Sequence, residues 1–141
     1  MRSEENHPQT RRPLTSTPPS PKGAGIEGTA ILASDFREEL SGAAPAEAFE
    51  EGATFYDELN VLPEARIVRD RATAMHDPTE GGIVTGCVEL AAASAVDLVV
   101  ERDAIPIRPE TAAVCEAMGV DPLRIFGSGA LLATVPPSAV A

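Results

Sequence analysis

The sequence is poor in several residue types, and each shortage excludes a class of protein. It has no tryptophan, one tyrosine, four phenylalanines, two cysteines and two histidines. Two cysteines placed 28 positions apart, Cys87 and Cys115, form neither a disulfide framework nor a metal knuckle, so we expect both as thiols of the core. With so few histidines, His7 and His76, no metal site is predicted. No apolar run approaches the length of a membrane span, so no membrane partner is expected.

Positive charge is also scarce. The sequence has 11 Lys and Arg residues and 22 Asp and Glu residues, which gives a net charge of −11. Lys22 is the only lysine. Such a surface repels the phosphates of nucleic acid, so no nucleic-acid partner is expected. An acidic, lysine-poor surface suits a high-salt cytosol, although a high-GC bacterial genome would produce the same bias. The absence of a secretory signal pattern predicts a cytoplasmic location.

The chain is predicted to hold a polar, proline-rich, disordered leader over residues 1–21 and one domain over 22–141. Apolar periodicity and proline and glycine boundaries predict helices ending before Gly42 and over 45–59, 63–69, 83–93 and 109–118. Short apolar runs predict buried strands over 72–75 and 130–135, and a further strand over 97–101. This alternation predicts an α/β fold, an α+β sandwich with helices packed on a mixed sheet.

The most informative segment is the loop of residues 77–82, Asp77-Pro78-Thr79-Glu80-Gly81-Gly82, between a strand and a helix. Backbone N–H groups at a helix N-terminus and glycines that permit close approach favour an anionic ligand. The alternative is structural, with Asp77 or Thr79 capping the helix and glycine completing a tight turn. On the local pattern alone the structural alternative is favoured.

Four segments together carry a family resemblance, over about residues 22–135. They have the sequences Lys-Gly-Ala-Gly-Ile-Glu-Gly-Thr-Ala-Ile-Leu, Met-His-Asp-Pro-Thr-Glu-Gly-Gly, Asp-Ala-Ile-Pro-Ile-Arg and Asp-Pro-Leu-Arg-Ile-Phe-Gly-Ser-Gly-Ala-Leu-Leu, at residues 22–32, 75–82, 103–108 and 121–132. Their order and spacing resemble the C-terminal domain of archaeal proteins related to aminoimidazole ribonucleotide (AIR) synthetase, a PurM-like domain. The same superfamily contains HypE, selenophosphate synthetase and thiamine-monophosphate kinase.

The resemblance implies an ATP-dependent phosphoryl-transfer enzyme, often a homo-oligomer, whose N-terminal domain binds ATP and Mg²⁺. The C-terminal domain would close over the substrate side of the cleft. By position in the motifs, the residues implied to line the substrate or phosphate side are Asp77, Thr79, Gly81 and Gly82, with Ser128 and Gly129 in a neighbouring loop. No metal ligand and no cofactor bound by this chain alone is implied.

The sequence departs from the family pattern at both ends, because the ATP-binding domain has no counterpart and the domain looks truncated. The partner expected is therefore an ATP-binding domain, missing or on another chain. Two function classes remain open: a substrate-side half of an enzyme, or a non-catalytic remnant or interaction module. A HypE-like hydrogenase maturation factor fragment is a further alternative. The ending Ala139-Val140-Ala141 lacks the cysteine tail of HypE, but the whole end of the domain also looks absent. Valine at position 82 is expected to block an anion while sparing the fold.

Overall fold

The computed structural model describes residues 22–140, so the predicted disordered leader lies outside the described residues. Residues 22–140 form five helices and two strands in a mixed α/β arrangement, which confirms the predicted fold class. They are α1 Ile26–Asp35, α2 Ala46–Ala53, α3 Leu62–Val68, β1 Ala74–His76, α4 Gly82–Ser94, α5 Pro109–Met118 and β2 Leu132–Thr134. Three short 3₁₀ segments lie at Thr54–Glu58, Arg102–Ala104 and Pro137–Ala139.

Several helix ends follow from local chemistry. Pro63 lies in the first turn of α3, and the Asn60 side chain accepts the Leu62 N–H at 3.0 Å. Pro109 begins α5, and Gly119 ends it in the left-handed conformation while the Val120 N–H returns to the Cys115 carbonyl. These boundaries match the prediction because the residues that set them are adjacent in sequence.

The first packing group consists of α1, α2 and α5. Its buried apolar residues are Leu32, Ala33, Leu40, Ala48, Phe49 and Val114. Gly52 of α2 lets the helices approach closely, because a Cβ there would lie 3.1 Å from both the Ala33 Cβ and the Thr29 Cγ2. The Thr29 and Thr111 hydroxyl groups share a buried hydrogen bond at 2.9 Å, which joins α1 to α5.

The second packing group places α4 on the two strands. Its buried residues are Ala24, Ile83, Cys87, Leu90, Leu123, Ala130 and Leu132. The strands are antiparallel, with Met75 opposite Ala133, and the Thr73 N–H extends the pairing to the Thr134 carbonyl at 2.7 Å. Both cysteines are buried free thiols, as predicted.

Some sequence-based expectations are wrong. Residues 97–101 form no strand, and the sheet of the described residues is a two-stranded antiparallel pair, smaller than the mixed sheet predicted. The predicted helix 45–59 changes at Thr54 into a 3₁₀ segment. Met75 is exposed although its strand was expected to be buried, and Val88 lies outside the buried face of α4. In each case the tertiary packing, which local patterns do not report, decides the outcome. No helix among residues 22–140 is long and apolar enough to cross a membrane.

Candidate functional site

The candidate site is formed by two loops that lie side by side, the 77–82 loop and the 123–129 loop. The Gly127 N–H donates to the Thr79 carbonyl at 2.9 Å. The Ser128 hydroxyl donates to the Thr79 hydroxyl at 3.4 Å, a long hydrogen bond at the surface. Thr79 and Ser128, predicted from separate motifs, are therefore brought together by the fold.

The 77–82 loop is held by its own backbone. The Thr79 N–H donates to the Asp77 carbonyl at 3.0 Å, and Pro78 between them is buried next to Gly86 of α4. Gly81 is the residue that precedes α4, in the left-handed conformation at φ 73°, and no side chain caps the helix. The expectation that Asp77 or Thr79 caps α4 is therefore wrong, because Gly81 occupies the capping position and supplies the turn without a side chain.

Gly82 is buried against the 123–129 loop. Its φ is +65°, and a Cβ at this position would lie 2.5 Å from the Ile125 carbonyl oxygen and 2.6 Å from that of Leu123. The Leu123 carbonyl also accepts the Val84 N–H at 3.1 Å. One N–H group in the first turn of α4 is therefore already hydrogen-bonded to the chain's own backbone. Valine at position 82 would disturb the fold itself, because its side chain would collide with these carbonyl groups. The expectation that valine spares the fold is wrong.

Gly129 faces away from the 77–82 loop. It has φ +95°, and its missing Cβ would lie 3.1 Å from Ile26 and 3.2 Å from the Glu58 carbonyl oxygen. Packing alone therefore explains why glycine is needed at 82 and at 129. Whether either touches a ligand stays a prediction.

The 123–129 loop also reaches the start of α1, since the Gly28 N–H donates to the Phe126 carbonyl at 2.9 Å. The loop thus runs between the N-termini of α1 and α4. At its beginning, Asp121 accepts the Leu123 N–H at 3.0 Å and forms a two-pronged pair with Arg102 at 2.7 and 3.1 Å. Arg102 and then Leu123 lower the pKa of Asp121. Asp121 therefore stays ionised and accepts hydrogen bonds from both the Arg102 guanidinium group and the Leu123 N–H.

Two acidic side chains share this region. Asp77 has a raised pKa, caused mainly by burial of its carboxyl group and further by the charge of Glu27, while His76 opposes the shift. Glu27 lies in the first turn of α1, and its Oε2 atom is buried without a hydrogen-bond partner among the described residues. A buried oxygen without a partner is costly, which makes Glu27 a candidate ligand-facing group.

Sequence reasoning missed Glu27, although the residue lies in a quoted motif. The signal available was an acid beside glycines at a helix start, but nothing local placed it near Asp77, fifty positions away. The sequence pattern also did not predict the pair of His76 and Glu89, whose Nε2 and Oε2 atoms lie 2.6 Å apart beside the site. Within residues 22–140 no group of three or more His, Cys, Asp or Glu side chains is arranged to hold a metal ion.

The family model described as AIR synthase related protein, C-terminal domain, matches residues 15–141. The chain belongs to the AIR synthase-related family. Within it, the chain is 35% identical over 113 residues to the carbamoyl dehydratase HypE of Cupriavidus necator, which covers 77% of the chain and 29% of that relative. It is 46% identical over 63 residues to that of Rhizobium leguminosarum bv. viciae, 45% of the chain and 18% of the relative.

Solved structures agree on the fold of this AIR synthase-related chain. It matches a crystal structure of Escherichia coli HypE with a TM-score of 0.61 and 25% identity, over 89% of the chain and 35% of that protein. A HypE structure in complex with ATP matches with a TM-score of 0.57 at 21% identity, over 90% of the chain and 34% of that protein, and shows the fold alone. The chain therefore spans about a third or less of the length of the relatives it matches. This similarity supports the HypE-like alternative, although the chain ends without the cysteine tail of HypE.

Proposed function

We propose that this chain is the substrate-side part of a HypE-type member of the AIR synthase-related family, which acts with an ATP-binding domain. The observation that carries the proposal is the pairing of Thr79 and Ser128 across two loops that belong to separate family motifs. The relatives are named carbamoyl dehydratases, so the substrate class proposed is a carbamoyl group from which water is removed.

The side chains of the site suit a substrate that carries oxygen-rich, anionic groups. Thr79 and Ser128 present hydroxyl groups that can donate to phosphate or carbonyl oxygens. Their loops are fixed by the Gly127 to Thr79 hydrogen bond, so the hydroxyl groups are positioned before a ligand binds. Their proposed role is to orient the substrate against the nucleotide.

Mg²⁺ with ATP is the cofactor that the family implies. Mg²⁺ is usually held through one or two carboxylates together with the phosphates it accompanies. Glu27, whose Oε2 atom has no hydrogen-bond partner among residues 22–140, and Asp77 fit that incomplete donor set. A bound Mg–nucleotide would supply the phosphoryl group and neutralise its charge. We assign Glu27 and Asp77 to the cation and Thr79 and Ser128 to the oxygens of the substrate.

The partner proposed is an ATP-binding domain, carried by further length of the same protein or by another chain, and the assembly proposed is a homo-oligomer. A high-salt origin remains a proposal on the composition, an archaeal origin one on the family resemblance, and a cytoplasmic location one on the sequence pattern of the N-terminus. The non-catalytic alternative is an outcome of the test below.

The test is a chimera in which residues 22–140 replace the matching part of Escherichia coli HypE, assayed for hydrogenase activity in cells that lack HypE. We expect activity to be restored, and Thr79→Val and Ser128→Ala to lower it by at least about tenfold, as expected when a positioned polar contact is lost. Thr54→Val is the matched control, because the exposed Thr54 hydroxyl donates within its own turn, to the Glu51 carbonyl at 2.7 Å. A folded chimera without activity would favour a non-catalytic module. Equal activity in all variants would refute the assigned residues.

A further inference from the structure

Phe126 is an exposed aromatic side chain in the middle of the 123–129 loop. The sequence has four phenylalanines and no tryptophan. Phe49 and Phe55 are 2% and 0% exposed in the core, whereas 46% of the surface of Phe126 is exposed. Leaving a ring in water forgoes the free energy of burying it. Single exposed apolar residues are nevertheless common, so exposure alone assigns no role to this ring.

The backbone around Phe126 is held on both sides. The Phe126 carbonyl accepts the Gly28 N–H at 2.9 Å, and the N–H of the next residue, Gly127, donates to the Thr79 carbonyl, also at 2.9 Å. These hydrogen bonds fix the loop to α1 and to the 77–82 loop. A phenylalanine side chain has only two rotatable bonds, so a fixed backbone leaves its ring few orientations. The ring is therefore largely positioned before a ligand binds.

The packing of the neighbouring residues turns the Phe126 side chain outward. Ile125 fills the space above the start of α1, because its Cδ1 atom lies 2.7 Å from the place that a Cβ of Gly28 would take. Gly127 is buried. With Ile125 and Gly127 facing the protein, the side chains of Phe126 and Ser128, which alternate with them, stay accessible.

The Phe126 ring lies within reach of a group held by Ser128. Residues two positions apart have Cα atoms no more than about 7 Å apart. The Ser128 and Thr79 hydroxyl groups, 3.4 Å apart, are those assigned to the oxygens of the substrate. Hydroxyl donors approach a carbonyl oxygen near the plane of its group. A carbamoyl group held in this way at its edge keeps its faces open, and an aromatic ring packs well on such a face.

We propose that Phe126 packs against the planar face of the carbamoyl group whose oxygen is bound by Thr79 and Ser128. The inference rests on the proposed function, because that function supplies the carbamoyl substrate. The ring fixes the plane of the group and shields one face of it from water. Phe126 is thus a specificity-determining residue, which favours a planar carboxamide over an anion without one.

The probe is phosphonoacetamide, a planar carboxamide joined to a phosphonate, titrated with Mg²⁺ into the isotope-labelled full chain and followed by NMR. Methylphosphonate, which has the anion without the planar group, is the reference ligand. We expect phosphonoacetamide to bind about three- to tenfold more tightly, the range of an aromatic contact. Its methylene protons should shift upfield, because a ring current shields protons held over its face. Absence of binding, or binding without this shift, would overturn the proposal.

Substitutions at position 126 separate planar recognition from plain apolar contact. Phe126→Ala and Phe126→Leu are expected to lose both the preference for phosphonoacetamide and the upfield shift, whereas Phe126→Tyr should keep both. Phe36→Ala is the matched control, because Phe36 is 38% exposed and follows the last residue of α1, about 12 Å along the helix from Gly28. Circular dichroism checks that each variant is folded. A preference that survives in Phe126→Leu would reject planar recognition.

Two further measurements separate this contact from the function on which it rests. Mg–ATP is titrated into the same variants, and a loss in Phe126→Ala confined to ATP would place the ring against the nucleotide base and overturn the proposal. The chimera tests the function itself. If the chimera is inactive while binding of phosphonoacetamide still depends on Phe126, the proposed function fails and the contact stands. An active chimera whose activity is unchanged by Phe126→Ala would reject the contact alone.

Discussion

At the scale of single residues, the requirement for glycine at position 82 follows from the approach of another part of the backbone. The carbonyl oxygens of Leu123 and Ile125 occupy the space that a side chain would need. A glycine beside a predicted ligand loop therefore has a sufficient structural explanation. The sequence could not have supplied it, because the contacting residues lie about forty positions away.

Substituting Gly82→Ala is expected to destabilise the chain by roughly 2–5 kcal/mol, the sum of a left-handed backbone penalty and overpacking. Gly42→Ala is the matched control, because Gly42 also has positive φ, at +82°, but nothing lies within 4 Å of its missing Cβ. The difference between the two, measured by urea unfolding, isolates the steric part. Equal losses would mean that the 123–129 loop yields without cost.

Cys115 gives a residue-scale prediction for alkaline pH. Burial, and then the charge of Asp121, raises the pKa of its thiol to about 11. Because the unfolded thiol ionises near pH 9, the unfolded state gains relative stability as the pH rises. The buried thiol's contribution to the free energy of unfolding is fully present below pH 9 and is lost as the pH approaches 11. This loss is at most about 2–3 kcal/mol.

The measurement is the free energy of unfolding between pH 8 and about pH 11, for the chain and for Cys115→Ala. We expect a shallower decline in the variant. Parallel declines would show that other groups dominate and that the Cys115 thiol is not protected in the folded state.

At the scale of elements, we expect the stability of the 123–129 loop to depend on Asp121 more than on Arg102. Asp121 accepts the Leu123 N–H as well as pairing with Arg102, which is exposed. Asp121→Ala is expected to cost about 1 kcal/mol, as for a lost cap, while Arg102→Gln should change stability little. The readouts are the melting temperature and amide exchange at residues 123–128. A larger effect from Arg102→Gln would contradict this order.

Element prediction succeeded where the signal was local. The ends of α5 follow from Pro109 and Gly119, and a buried strand at β2 is evident from an apolar run before two prolines. Residues 97–101 show the limit, since β-branched residues predict a strand but pairing needs a neighbour that propensity does not provide. The candidate site was predictable as two loops but not as one surface, and Glu27 could be added only from the fold.

At the scale of the whole molecule, charge is the dominant feature. A net charge of −11 on 141 residues repels itself, and exposed charges are screened by salt. We expect the melting temperature at pH 7 to rise when NaCl increases from about 0.1 M to 1 M. The same salt series near pH 4, where about half of the carboxylates are protonated, should give a smaller rise. A falling melting temperature at pH 7 would show that ion pairs outweigh repulsion.

The passage of the 123–129 loop between the starts of α1 and α4 has a consequence for how the molecule comes apart. The helices α1, α2 and α5 form one packing group and α4 with the strands another, and hydrogen bonds from Gly28 and Val84 to this loop tie the two together. Cooperativity of unfolding is therefore concentrated in a few carbonyl groups of one irregular segment. We therefore expect amide exchange on heating to show the three-helix group and the helix-and-strand group opening separately once this segment loosens.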